Sequence, residues 1–128
     1  MTHFEPEGRW TLDGHVASAR EARARVREAA AGHSALDDVE LVVTELVVNA
    51  AEHGDGPIDI ALDRAPGLMR LVVSSSAGTV EPTVQPPSVE AGGGRGLALV
   101  EALADRWGWD RVGDRIAVWA EFADEEDT

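Results

Sequence analysis

From Val39 onward the apolar residues fall at 39, 42, 43, 46, 47 and 50, the spacing of a helix with one buried face. Ser34 precedes the run as an N-cap, Asp37 and Asp38 suit its first turn, and Gly54 stops it after His53. An earlier stretch, His15 to Ala31, is rich in Ala and Arg and closes at Gly32, which predicts another helix. Arg20, Arg23 and Arg27 share one side of it, either as a solvated face or as a docking surface for an acidic partner. Arg9-Trp10-Thr11-Leu12 reads as a short strand before an Asp13-Gly14 turn. Ile58 to Leu62 and Leu68 to Ser74 predict two further strands, joined as a hairpin through Arg64-Ala65-Pro66-Gly67.

Between Ser75 and Gly94 the periodicity disappears. Three prolines and the Gly92-Gly93-Gly94 run make residues 75–94 a long loop, of the kind that serves as a lid or a binding loop. A third helix is expected from Arg95 to Trp107, apolar at Leu97, Val100, Leu103 and Trp107. A last strand, Arg115 to Phe122, should follow a Gly113-Asp114 turn, with residues 123–128 as an acidic tail. This order predicts one domain over residues 1–128, a two-layer α/β sandwich whose mixed, mostly antiparallel sheet carries its helices on one face.

Composition narrows what such a domain can do. The 128 residues include no cysteine, which removes disulfide scaffolds, zinc knuckles and thiol chemistry. No run is long and apolar enough to span a membrane, and the first residues do not read as a signal peptide, so a soluble, cytoplasmic protein is expected. A formal charge of -13 repels phosphate backbones and anionic lipid, which argues against nucleic-acid and membrane partners. All 11 basic residues are Arg. Without Lys there is no P-loop, no protein-kinase lysine and no Schiff base, and any bound nucleotide must rely on backbone amides, Arg and a metal.

The candidate chemistry lies at two places. Glu45 and Asn49 sit one turn apart on the second helix, away from its apolar stripe. Asn is a mediocre helix former, and this pair could hold a divalent metal, orient a water or be idle. Gly94-Arg95-Gly96-Leu97 opens the third helix, where free N–H groups can converge on an anion; the same glycines could equally be a hinge. His3, His15, His33 and His53 show no metal-ligand spacing, and His53 reads as a C-terminal residue favoured by the helix dipole.

Taken together, Glu45-x-x-x-Asn49-Ala50-x-x-His53-Gly54 followed by Gly94-Arg95-Gly96-Leu97-x-Leu99-Val100 resembles the bacterial anti-sigma-factor serine kinases. These belong to the superfamily of DNA gyrase, sensor histidine kinases and MutL, and the resemblance spans nearly the whole chain. It implies the Bergerat ATP-binding fold, with ATP and Mg²⁺ as cofactors and residues 75–94 as the ATP lid. It further implies Asn49 as the metal ligand and Glu45 as the general base. His53, Ser75, Gly78, Gly94, Arg95, Gly96 and Leu97 would belong to the nucleotide site. The implied partners are a sigma factor and an anti-sigma antagonist phosphorylated on Ser or Thr, with homodimerisation also suggested. Two positions depart from the pattern: Ser75 stands where the family carries an adenine-recognising Asp, and Ala77 where the first following Gly would be. A degenerate, non-catalytic binding module with weak or no nucleotide binding is therefore the alternative.

Overall fold

The computed structural model describes residues 3–53, 56–76 and 94–123. Its elements run β1 (Glu5–Leu12), α1 (Ser18–Ala29), α2 (Leu36–His53), β2 (Ile58–Ala65), β3 (Leu68–Ser76), α3 (Gly94–Leu103), β4 (Arg106–Val112) and β5 (Arg115–Ala123). The five strands form one sheet in the order β1-β2-β3-β5-β4. Every neighbouring pair is antiparallel, whereas the sequence left room for a mixed sheet.

Period-two alternation decides which way each strand faces. Ile58, Ile60 and Leu62 on β2, Met69, Leu71 and Val73 on β3, and Ile116, Val118, Ala120 and Phe122 on β5 all turn to one side and are buried. Against them α2 lays Val39, Val42, Val43, Leu46 and Val47, the stripe expected from its spacing. In α1 the buried residues are Ala19, Ala22 and Val26, small enough for close approach to α2. This helix is capped without a side chain; the Ser18 hydroxyl instead donates to the Asp13 carbonyl at 2.7 Å.

The sequence expectation is corrected at several places: α1 is shorter than His15–Ala31, β2 runs on through Arg64 and Ala65 so that Pro66 and Gly67 alone form the hairpin turn, and two differences are larger. The first strand begins at Glu5 rather than Arg9 and contains a register shift between Pro6 and Gly8, a bulge that blurs its alternation. The larger correction concerns residues 104–112. The third helix ends at Leu103 instead of Trp107, and Arg106–Val112 is a strand. The Asp105 N–H donates to the Glu121 carbonyl at 2.9 Å, while its carboxylate accepts the Ala123 N–H at 2.7 Å. These bonds clamp the chain into the sheet immediately after the helix. Trp107 falls at helical spacing from Leu103, but Trp107-Gly108-Trp109 also alternates, and the glycine disfavours helix. Both Trp side chains pack against the core from β4.

The opposite face of the sheet is polar and laced with ion pairs. Asp59 accepts hydrogen bonds from Thr11 Oγ1 at 2.6 Å and Arg115 Nη2 at 2.9 Å. Arg70 is sandwiched between the rings of Phe4 and Trp119, 5.6 and 5.5 Å from their centroids. An open hollow of about 280 Å³ on this face, lined by Arg9, Thr11, Asp59, Ala61, Val72 and Ser74, has its charged groups already paired with one another or with neighbours.

Candidate functional site

On α2 the pattern of burial changes along the helix. From Val39 to Val43 only Leu41 is exposed, whereas Glu45, Val48, Asn49, Ala50 and Ala51 are all half-buried. A helix in contact with protein on every side would not show four consecutive half-buried positions. This half of α2 therefore lines a partly open surface on the helix side of the sheet.

Asn49 is the distinctive residue there. Its Oδ1 atom is buried and has no hydrogen-bond partner among the described residues. Thr44, another polar side chain on α2, satisfies itself by donating to the Glu40 carbonyl at 2.8 Å. An unsatisfied buried acceptor costs about 1–3 kcal/mol, which is accounted for if the oxygen waits for a ligand. Glu45 lies one turn earlier on the same helix, half-buried, so a carboxylate and an orphaned amide oxygen neighbour one another.

Across the layer, Ser75 is one of two buried polar or charged residues among those described, at 8 % exposure. It pairs with Ile116 of β5 and occupies the inward-facing register of β3, the place of a core residue. A hydroxyl there can donate or accept but carries no charge. The third part is the start of α3: Gly94, Arg95 and Gly96 form its first turn, so its free N–H groups are main-chain groups of a glycine-rich segment. Leu97 points into the core at 2 % exposure, and α3 packs against α2. Any contact of Leu97 with a ligand would thus run through its main chain, while its side chain anchors the turn. His53 is the last residue of α2. Gly78 and residues 77–93, nearly all of the expected lid, lie outside the described residues, and Ser75 and Ser76 belong to β3.

The other buried polar residue, Glu40, was not foreseen from the apolar pattern. Its carboxylate is 5 % exposed and accepts two hydrogen bonds from Arg27, at 2.9 and 3.1 Å, with Arg23 at 3.8 Å. Hydrogen bonding and then charge attraction from Glu40 raise the pKa of Arg27 above its ordinary value. Two members of the expected arginine face thus tie α1 to α2. Their spacing one turn apart was the available signal.

A sheet covered on one side by helices, with a glycine-opened helix packed against a polar-bearing α2, defines a two-layer α/β domain. The chain belongs to the histidine kinase-like ATPase domain family, whose profile matches residues 10–122. Its fold resembles the crystal structure of the RsbU and RsbW domains of Rv1364c from Mycobacterium tuberculosis, with a TM-score of 0.71 and 25% identity over 96% of this chain. The match covers 33% of that longer protein. Among curated proteins, the uncharacterized protein SCO4941 of Streptomyces coelicolor is 39% identical over 87 residues, 65% of this chain and 83% of the relative. No helix among the described residues is long and apolar enough to cross a membrane.

Proposed function

We propose that this protein is an ATP-binding regulator of the anti-sigma-factor serine/threonine kinase type, which sequesters a sigma factor and phosphorylates a Ser or Thr of its antagonist. The observation that carries the reading is the orphaned Asn49 oxygen one turn from Glu45, on a helix that packs against both β3, which carries Ser75, and the glycine-opened α3. Membership of an ATPase-domain family and likeness to a structure containing an RsbW domain support it.

The residues present fit a magnesium nucleotide. Mg²⁺ keeps several waters and binds mainly through substrate phosphates with one or two protein oxygens. A single amide oxygen without a competing partner suits that mode. No group of three acidic, His or Cys residues that could cage an ion occurs among the described residues. When bound, Mg-ATP would supply the phosphoryl group and the cation that balances its charge. Asn49 would be the protein's metal ligand, and the main-chain N–H groups of residues 94–96 would face phosphate oxygens. Glu45 would accept the proton of the attacking hydroxyl, a role suited to a half-buried carboxylate one turn away from the metal.

Ser75 favours a second reading. A buried hydroxyl in place of a carboxylate forfeits a charge-assisted hydrogen bond to an exocyclic amine, roughly ten- to a hundredfold in affinity. The chain could then act by binding its partner alone. Phosphotransfer assays with the cognate antagonist separate the two. Kinase function predicts Mg-ATP-dependent phosphoprotein that is lost in Glu45→Ala; sequestration alone predicts partner binding unaffected by Glu45→Ala and no phosphoprotein.

A further inference from the structure

Among the described residues the buried polar or charged side chains are Glu40 and Ser75. Glu40 is engaged, since its carboxylate accepts two hydrogen bonds from Arg27. Ser75 is not. It is 8 % exposed, its side chain turns inward on β3, and no hydrogen bond engages its hydroxyl among the described residues. Its surroundings offer it no side-chain partner: Val73, two residues earlier on the same face, and Ile116, across the strand pair, are both buried and apolar. A buried hydroxyl left idle in this way calls for a ligand to complete it.

The same contrast decides what a base would meet in the layer between α2 and the sheet. Ile60, Val73, Ile116 and Val118 give the inward face of the sheet a hydrocarbon surface. Apolar contact is non-directional and holds any purine ring alike, so only a polar group at the ring edge can tell one base from another. Ser75 is the buried polar side chain that the inward face offers among the described residues. Adenine presents an amino donor at its 6-position, whereas guanine and hypoxanthine present an oxo acceptor there. An ionised carboxylate can only accept, which suits the first and leaves the second unpaired. A hydroxyl accepts from an amine or donates to a carbonyl by rotating about one bond.

We propose that the site takes 6-oxopurine nucleotides as readily as adenine nucleotides, with Ser75 setting this tolerance by donating to a 6-oxo oxygen or accepting from a 6-amino group. This tolerance presupposes the nucleotide site proposed above and specifies which bases it admits. The metal and the phosphates are common to all such nucleotides, so Asn49 and the main-chain N–H groups at the start of α3 contribute no preference among them.

Isothermal titration of the full chain with Mg-ADP and Mg-IDP, whose bases differ in carrying a 6-amino or a 6-oxo group, tests this. The wild type should bind both, with dissociation constants within about fivefold of each other. Ser75→Asp should tighten Mg-ADP and weaken Mg-IDP, moving their ratio by about thirtyfold or more. Ser75→Ala, which buries no charge, should weaken both about two- to tenfold and leave their ratio near the wild-type value, a result that stands even if Ser75→Asp fails to fold. A wild-type preference for either nucleotide beyond about fivefold, an unchanged ratio in Ser75→Asp, or undiminished binding of both by Ser75→Ala would overturn the proposal and leave the nucleotide site standing. Binding of neither nucleotide by the wild type would remove that site and the base tolerance with it.

Discussion

Asn49 carries opposite obligations in the ligand-free and ligand-bound protein. Without a ligand its buried oxygen is unsatisfied, so Asn49→Ala removes a penalty and also improves helix propensity. We expect the ligand-free melting temperature to rise by about 3–6 °C while stabilisation by Mg-ADP disappears. A fall in the ligand-free melting temperature would show that the amide serves packing. Ser75→Asp should behave in reverse. A buried carboxylate with no described partner lowers the ligand-free melting temperature, while adenine-nucleotide affinity rises about ten- to a hundredfold. At the α1–α2 contact, Arg27→Ala strands the Glu40 carboxylate with only the more distant Arg23, whereas the Arg20 side chain makes no ion pair with Glu40. Thermal melts should therefore show a larger loss for Arg27→Ala than for Arg20→Ala. A raised arginine pKa contributes stability that is present below its unfolded value and lost only as pH climbs through the folded value. Arg27 thus stays charged across the neutral range, and the ordering should hold from pH 6 to 8, roughly.

Among the elements, two glycines, Gly14 between β1 and α1 and Gly108 on β4, mark places where a side chain would collide. At Gly14 a Cβ would run into the main-chain carbonyl of Gly56, which has no rotamer to change. At Gly108 the obstacle is the Trp119 ring, which can swing aside. Gly14→Ala should accordingly destabilise more than Gly108→Ala, and Trp119→Ala should rescue only the latter; equal losses, or rescue of both, would contradict this. The same distinction between local and distant causes explains what could be read from the chain alone. The second helix was legible because its stripe of Val and Leu repeats over several turns, and β2, β3 and β5 because they alternate cleanly. β4 was not. Leu103 and Trp107 keep helical spacing, and the bonds that end α3 come from Glu121 and Ala123, distant in sequence. Glu40 was missed for a similar reason, since its burial depends on arginines from another helix. Glu45, Asn49 and Ser75 could be named as candidates from their motif, but the orphaned state of the Asn49 oxygen and the inward register of Ser75 required the fold.

For the molecule as a whole, the layered arrangement assigns separate surfaces to separate tasks. The helix side of the sheet carries Asn49, Glu45, the inward-facing Ser75 and the α3 N-terminus, and the polar sheet face is occupied by its own ion pairs. The layer between α2 and the sheet, with Asn49 as its metal ligand, is the proposed magnesium-nucleotide site. Isothermal titration of the full chain with Mg-ADP, alongside Asn49→Ala and Ser75→Asp, tests it most directly. The wild type should bind saturably at one site, Asn49→Ala should lose that binding and Ser75→Asp should strengthen it; no binding by wild type and Ser75→Asp alike, or undiminished binding by Asn49→Ala, would rule such a site out.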